Sequence, residues 1–292
     1  MRVFLTGATG FIGSAIIPEL IGAGHQVLGL ARTGEGAQKL TAAGAEVLRG
    51  SLEDLDSLRR GAEATDGVIH TAFIHDFSQY QAAGATDQRA IEALGAALAG
   101  SGRPLVVTAG LAGLANGRLG TEEDVPAAGG RASEQAALAL VPQGVRATVV
   151  RLAASVHDAG DHGFVPYLIQ LARQQGEAAY IGEGLNRWPA VHRQDAARLF
   201  RLALEQGVAG ARYHGVGDEG IMLRDLAAVI GRHLNVPVVS KSGAEADAYF
   251  GWMARFAALG MAASSTLTQQ WLGWSPSGPG LLEDLEKGDY FK

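Results

Sequence analysis

Met1-Arg2-Val3-Phe4-Leu5-Thr6-Gly7-Ala8-Thr9-Gly10-Phe11-Ile12-Gly13 opens the chain, and its reading decides the fold. Val3 to Leu5 is an apolar run of strand character. Glycines stand at positions 7, 10 and 13, and Phe11 begins a helical repeat through Ile12, Ile16, Ile17 and Leu20. Strand, glycine-rich turn and helix start together make a cradle for a dinucleotide pyrophosphate. Gly7 serves the tight turn, Gly10 lets phosphates approach the backbone, and Gly13 lets the helix lie against its strand. Free N–H groups at the helix start meet the negative charge. Thr9, Phe11 and Ile12 complete the expected cofactor contacts. A glycine pattern alone is a weak signal; its setting between a strand and a helix makes it specific.

Working outward, apolar strands alternate with helical patterns. Val27 to Leu30 is the second strand, and Arg32 follows where NAD-specific folds usually carry a carboxylate for the ribose 2′-OH. A guanidinium there suits a 2′-phosphate, so NADP(H) is preferred over NAD(H). Ala45 to Gly50 is a third strand, and Ser51 and Leu52 in its exit loop are placed near adenine. Asp66 to Phe73 gives a fourth strand and its exit, where the small residues Thr71 and Ala72 leave room for the cofactor; His70 reads as structural. His75 and Asp76 are weak pocket candidates. Pro104 to Thr108 is a fifth strand, with Thr108 and Gly110 at the carboxyl edge where open α/β sheets place their sites. Val145 to Leu152 is the sixth. The alternation predicts an α/β fold, a Rossmann-type doubly wound parallel sheet. Residues 1–155 are read as the dinucleotide-binding domain, its sheet completed by later segments. Residues 156–292 are read as a mixed region that includes a small, mostly helical substrate-binding lobe.

Beyond the sixth strand, residues 155–167 mix turn residues with chemistry. Ser155 and Val156 are expected beside the nicotinamide, His157 and Tyr167 as proton donors, and His162 and Phe164 at the substrate. Arg187 and Trp188 offer charge and an aromatic wall to the same substrate. Asp195 begins a helix, and its reading is a cap or helix-start charge.

With 292 residues, 47% hydrophobic and 18% charged, the chain is long enough for one large α/β core with or without a small lobe. A net charge of -6 makes no electrostatic case for nucleic acid or anionic membrane. No apolar run approaches a membrane span. Cysteine is absent, which excludes disulfides, thiolate metal sites and cysteine nucleophiles. No metal-ligand spacing and no G-x-S-x-G elbow are present. A cytoplasmic location is expected from the lack of a leader before the first strand.

The chain resembles the extended or atypical short-chain dehydrogenase/reductase superfamily, in its epimerase/dehydratase-type branch. The resemblance rests on Thr6 to Gly13, the strand around Thr108, Arg151, and Val191-His192-Arg193-Gln194-Asp195-Ala196-Ala197. Tyr213-His214-Gly215-Val216 and Leu272-Gly273-Trp274 add to it. It implies a tyrosine acid/base, a lysine four residues later, and a Ser or Thr that orients the carbonyl. This sequence lacks the pair. The aligned positions hold Pro126 and Gly130, no tyrosine occurs between Tyr80 and Tyr167, and no lysine between Lys39 and Lys241. Gly110 appears where the hydroxyl belongs, with Thr108 two residues before it. Related folds pair into homodimers, so a homodimer is expected by resemblance alone.

The resulting expectation is an NADP-dependent short-chain dehydrogenase/reductase with an atypical active site. It would reduce the carbonyl or imine of a small, partly apolar substrate, with Tyr167 ranked first as proton donor and His157 and His162 behind it. Two alternatives stand beside it. One is an epimerase, isomerase or dehydratase that retains its cofactor, with Arg187, Arg193 and Arg173 for a substrate diphosphate. The other is a non-catalytic NADP(H)-binding sensor.

Overall fold

The computed structural model describes residues 1–75, 79–114, 117–126 and 132–292. Among the described residues, twelve strands carry the fold: Arg2–Thr6 (β1), Gln26–Ala31 (β2), Glu46–Arg49 (β3), Gly67–His70 (β4), Pro104–Gly110 (β5), Arg146–Leu152 (β6), Ser155–His157 (β7), Ala178–Ile181 (β8), Arg187–His192 (β9), Arg212–Gly215 (β10), Asp218–Met222 (β11) and Val238–Lys241 (β12). Seven of them form one sheet in the order β10-β6-β5-β4-β1-β2-β3. Every pairing in that sheet is parallel. The chain runs from β1 outward through β2 and β3, then returns to β4 on the other side of β1. The crevice outside the carboxyl ends of β1 and β4 is therefore the topological switch point, where open α/β sheets bind ligands.

Both faces of the sheet are covered. On one side, Gly13–Gly22 (α1), Gly34–Ala42 (α2) and Arg193–Gln206 (α7) bury Ile16, Ile17, Leu20, Leu40, Leu199 and Phe200 against Val3, Leu5, Val106 and Val150. On the other, Leu55–Glu63 (α3), Tyr80–Leu98 (α4) and Ser133–Leu138 (α5) bury Leu58, Ile91, Leu94 and Ala137 against Phe4, Val68 and Leu105. Alternate residues of β1 thus feed opposite cores, as the period of a strand requires. Local chemistry starts the helices where expected. Thr33 accepts from Gly36 N at 3.0 Å ahead of α2, and Asp54 from Ser57 N at 3.1 Å ahead of α3.

The remaining elements build the lobe. Phe164–Gln175 (α6), Leu223–Leu234 (α8), Gly243–Phe250 (α9), Ala254–Ala257 (α10) and Leu281–Lys287 (α12) surround a third core with Val165, Ile169, Trp188, Ile230 and Phe250. Thr266–Leu272 (α11) instead returns to the main sheet beside β10. Two small sheets stitch the lobe, β11-β9-β7 and β12-β8. Residues 155–157, expected as a site loop, are a strand instead. They form a strand because Ser155 and His157 pair in parallel with Ala190 and His192 of β9, a partner more than thirty residues away. Among the described residues, no helix is long and apolar enough to cross a membrane.

Candidate functional site

The turn from Gly7 to Gly13 is shaped by bare backbone. Gly7 has φ +68°, and a Cβ there would stand 2.7 Å from both Ala72 N and Thr71 Oγ1. Gly10 N donates to Gly7 O at 2.9 Å, closing the turn. A Cβ on Gly13 would lie 2.1 Å from Gly7 O, so α1 packs on the turn as only glycine permits. No side chain caps α1 and its first turn holds no acidic residue. The positive helix end is therefore left for an outside anion. Thr9 and Gly10 are exposed, and Phe11 and Ile12 half-buried, along this opening. These residues fit a dinucleotide pyrophosphate.

The far wall of the crevice is Thr71 and Ala72, both half-buried. A buried hydrogen-bond chain fixes it. Thr71 Oγ1 donates to Thr6 O at 2.8 Å, and Ala72 N to Thr6 Oγ1 at 3.4 Å. Thr6 Oγ1 bonds His70 Nδ1 at 2.8 Å, and His70 Nε2 donates to Asp87 at 3.1 Å. Asp87 also accepts from the Ser133 hydroxyl. Asp87 as acceptor puts the His70 proton on Nε2, and Nδ1 takes the Thr6 hydroxyl proton. His70 is thereby a structural residue of the crevice wall. Thr108 Oγ1 is committed to His70 O at 2.9 Å, and its side chain sits in the same buried layer. Gly110, at the exposed end of β5, has open space beside it.

On the adenine side, Arg32 is exposed and its carbonyl accepts from Arg49 Nη2 at 2.9 Å. Among the described residues, no hydrogen bond or ion pair fixes the Arg32 guanidinium. Ser51 Oγ accepts from Glu53 N and Asp54 N at 3.3 and 3.2 Å, as a turn residue, and Leu52 is buried. Ser155 is buried in β7, and Val156 packs half-buried against the sheet core.

The proposed proton donors are dispersed. His157 is fully buried, its Nδ1 donating to Asp284 of α12 at 2.9 Å. Burial pushes its pKa down despite the Asp284 carboxylate, and its Nε2 has no partner among the described residues. His162 is exposed and lies edge-on to Phe11, ring centroids 5.7 Å apart. Tyr167 is half-buried with its ring 5.2 Å from Trp252. Phe164 joins the same wall, 4.2 Å from Phe256. Trp188 backs this wall rather than facing out. It is 1% exposed, 5.1 Å from Phe256, and donates Nε1 to Leu259 O at 3.2 Å. Arg187 begins β9 with its side chain exposed. The structure thus brings Tyr167 and Phe164 into one aromatic wall backed by Trp188 and keeps His157 apart. Trp252 and Phe256 belong to the wall and were missed. Their sequence reads only as part of a lobe helix, and nothing local ties them to Phe164. Asp76 and Gly130 lie outside the described residues.

Asp195 does more than start α7. It is 2% exposed and accepts from Ser277 N at 3.0 Å, Gly278 N at 2.8 Å and Arg198 Nη2 at 2.6 Å. The C-terminal segment is latched to the sheet through this carboxylate. Arg173 is likewise structural, donating to Phe291 O at 2.8 Å.

The loop leading to α6 carries an unusual carboxyl. Asp161 accepts from Gly163 N at 2.7 Å and lies 3.3 Å from the Tyr290 hydroxyl. Burial pushes its pKa up to about 6, against the Gly163 and Tyr290 bonds and nearby His162; Asp284 adds to the rise. The native state then holds a proton that the unfolded chain releases near pH 4. That contribution favours folding at low pH and is lost as pH rises through 6. Asp161→Asn, neutral throughout and able to keep the Gly163 bond, is expected to gain about 2 kcal/mol above pH 6 and nothing near pH 4. Thermal denaturation of both proteins at pH 4 and pH 8 checks this. An equal difference at the two pH values contradicts it.

A family model described as NAD(P)H-binding matches residues 7–175. An uncharacterised protein of Schizosaccharomyces pombe is 51% identical over 295 residues, covering 100% of both chains. A Stigmatella aurantiaca ketoreductase acting on a farnesyl dihydroquinoline-1-oxide is 28% identical over 256 residues, 79% of this chain and 72% of its own. Among solved structures, a double mutant of the dTDP-glucose 4,6-dehydratase of Streptomyces venezuelae, with NAD bound, superposes with TM-score 0.78. It is 19% identical and covers 98% of this chain and 96% of its own. The UDP-glucuronic acid 4-epimerase of Bacillus cereus, with UDP-glucuronic acid and NAD, gives TM-score 0.77. It is 14% identical over 99% and 98% of the two chains.

These findings correct two expectations. The dinucleotide in both solved structures is NAD, which overturns the preference for NADP(H) drawn from Arg32. The physical reason is that the Arg32 guanidinium is exposed and no described side-chain contact holds it in place, so it is not a preorganised 2′-phosphate site. An arginine after the second strand is thus no sufficient mark of a 2′-phosphate site. NADPH-dependent reduction of a small apolar carbonyl or imine falls with it. The fold's solved relatives are a dehydratase and an epimerase, as in the cofactor-retaining alternative.

Proposed function

Because the chain belongs to the NAD(P)H-binding family and carries the extended short-chain dehydrogenase/reductase fold, we propose that it is an NAD-dependent epimerase/dehydratase-type oxidoreductase acting on a sugar nucleotide. The observation that carries this reading is the uncapped start of α1 over a turn of bare glycine backbone at the β1/β4 switch point. NAD bound there would supply a reversible hydride acceptor for a substrate carbinol carbon. The chain's own residues do the rest. The N–H groups at the start of α1 hold the anionic bridge of the cofactor. Thr71 and Ala72, fixed through Thr6 and His70, bound its other side.

On the substrate side, Tyr167, Phe164, Trp252 and Phe256 present an apolar wall suited to a nucleobase or sugar face. Arg187, exposed at the start of β9, is the cation proposed for the substrate diphosphate. Tyr167 is the proposed proton-exchanging group. The hydroxyls of Tyr213, Tyr249 and Tyr290 are taken by Val208 N, Glu177 O and the Asp158 backbone. Among the described residues, no hydrogen bond engages the Tyr167 hydroxyl.

The test is a panel of UDP- and dTDP-hexoses incubated with the protein and NAD+, followed by NMR of the sugar. The expected result is conversion to an epimer or a dehydrated keto sugar without accumulation of NADH. Tyr167→Phe is expected to slow it by roughly 10²–10⁴-fold while NAD+ binding is unchanged. Binding of NAD+ with no conversion of any panel member contradicts the reaction.

A further inference from the structure

We propose that Arg193 is a phosphate clamp of the dinucleotide site, closing on the pyrophosphate from the start of α7. The inference rests on the cofactor site of the reading above and not on the reaction or substrate assigned there.

The argument begins with helix placement. α7 packs along α1, so its first residue arrives beside the first turn of α1. Arg193 is that residue. Its Nη2 donates to Ser14 Oγ at 2.6 Å, and Ser14 Oγ in turn donates to Gly10 O at 2.7 Å. Its guanidinium carbon lies 4.5 Å from the centroid of the Phe11 ring. The side chain is thus tied to three residues of the glycine-rich turn, Gly10 through Ser14, without closing the uncapped helix end.

The charge itself is left over. Among the described residues, no carboxylate forms an ion pair with Arg193, although Asp158 attracts it from farther off. Its Nε is buried and has no acceptor. A guanidinium offers five N–H donors, and a buried donor without a partner is costly. Such a group beside an anion cradle is complete once phosphate oxygens accept from it, and its planar fork suits them. Phe11 is held between this guanidinium and His162, so the clamp is preorganised rather than swung in from solvent.

Calorimetric titration of wild type, Arg193→Met and Arg193→Lys tests the clamp, with NAD+ and adenosine as ligands at several salt concentrations. Arg193→Met is expected to weaken NAD+ about 10- to 100-fold and to leave adenosine within about twofold of wild type, since adenosine has no phosphate to meet the guanidinium. It should also flatten the salt dependence of NAD+ affinity, because one cation facing the dianion is gone. Arg193→Lys should recover part of the loss. Equal NAD+ affinity in Arg193→Met overturns the proposal, as does a parallel loss of adenosine, which would mark a deformed turn. Failure of the wild type to bind NAD+ refutes the cofactor site as a whole, a different result from wild-type binding that ignores Arg193.

Discussion

Gly13→Ala is expected to weaken NAD+ binding by more than about a hundredfold and to lower stability by about 3 kcal/mol. The added Cβ would stand 2.1 Å from Gly7 O, 2.8 Å from Gly7 C and 2.9 Å from Ala8 Cα. All three are backbone atoms of the turn, so no side chain can rotate to make room. Either α1 backs away from β1 or the turn opens. The first route unpacks Ile16, Ile17 and Leu20 from Val3 and Leu5; the second destroys the cradle. Both move the N–H groups that meet the pyrophosphate, which is why affinity suffers more than stability. Gly22→Ala is the control on the same helix, because its Cβ would meet nothing within 4 Å. Calorimetry with NAD+ and thermal melts of the two variants separate steric intrusion from a general effect on α1. A Gly13→Ala protein that binds NAD+ like wild type contradicts the packing argument.

Arg151→Met is expected to cost about 3–5 kcal/mol, a fall in melting temperature of roughly 10 °C for a chain of this size. Arg151 is fully buried on β6. It grips Glu134 at the start of α5 with two bonds, Nε at 2.8 Å and Nη2 at 2.7 Å, and donates Nη2 to Asp124 O at 2.9 Å. Its Nη1 lies 3.2 Å from His214 Nε2. His214 Nδ1 donates to Ser264 O at 2.7 Å, so Nε2 is the free acceptor and the imidazole is neutral. Burial pushes the His214 pKa down to about 4, in keeping with that state. Burial raises the Glu134 pKa, but its bonds to Arg151 and Arg212 outweigh this and hold it below the ordinary range.

Methionine fills the volume of Arg151 but leaves Glu134, among the described residues, with the half-buried Arg212 at 2.6 Å as its cation. A buried carboxylate stripped of its main partner accounts for most of the loss. Arg151→Met combined with Glu134→Gln is therefore expected to recover part of it, which thermal melts of both proteins measure. A single variant that melts within a degree or two of wild type contradicts the network.

The main sheet was legible because its signals are local. Short apolar runs such as Val3 to Leu5 and the glycines that punctuate them belong to neighbours in sequence. The parallel order follows from their alternation with helices. The Gly7–Gly13 cradle was legible for the same reason. What escaped reading depends on residues far apart in the chain. Phe164 and Phe256 make one wall only after the lobe folds, and β7 becomes a strand only when β9 arrives. His157 stood in a stretch rich in turn residues and read as a donor, yet Asp284 of α12 holds it inside the lobe. The sequence offers Arg193 for a substrate diphosphate. Its tie to Ser14 and Phe11 comes from packing between two helices that begin 180 residues apart. Arg32 shows the opposite failure, a local signal trusted beyond its reach.

The most direct measurement is calorimetric titration of the wild-type protein with NAD+ and, separately, with NADP+. The expected result is one site per chain for NAD+, with NADP+ bound more weakly. No saturable binding of either dinucleotide, or tighter binding of NADP+, would contradict the account.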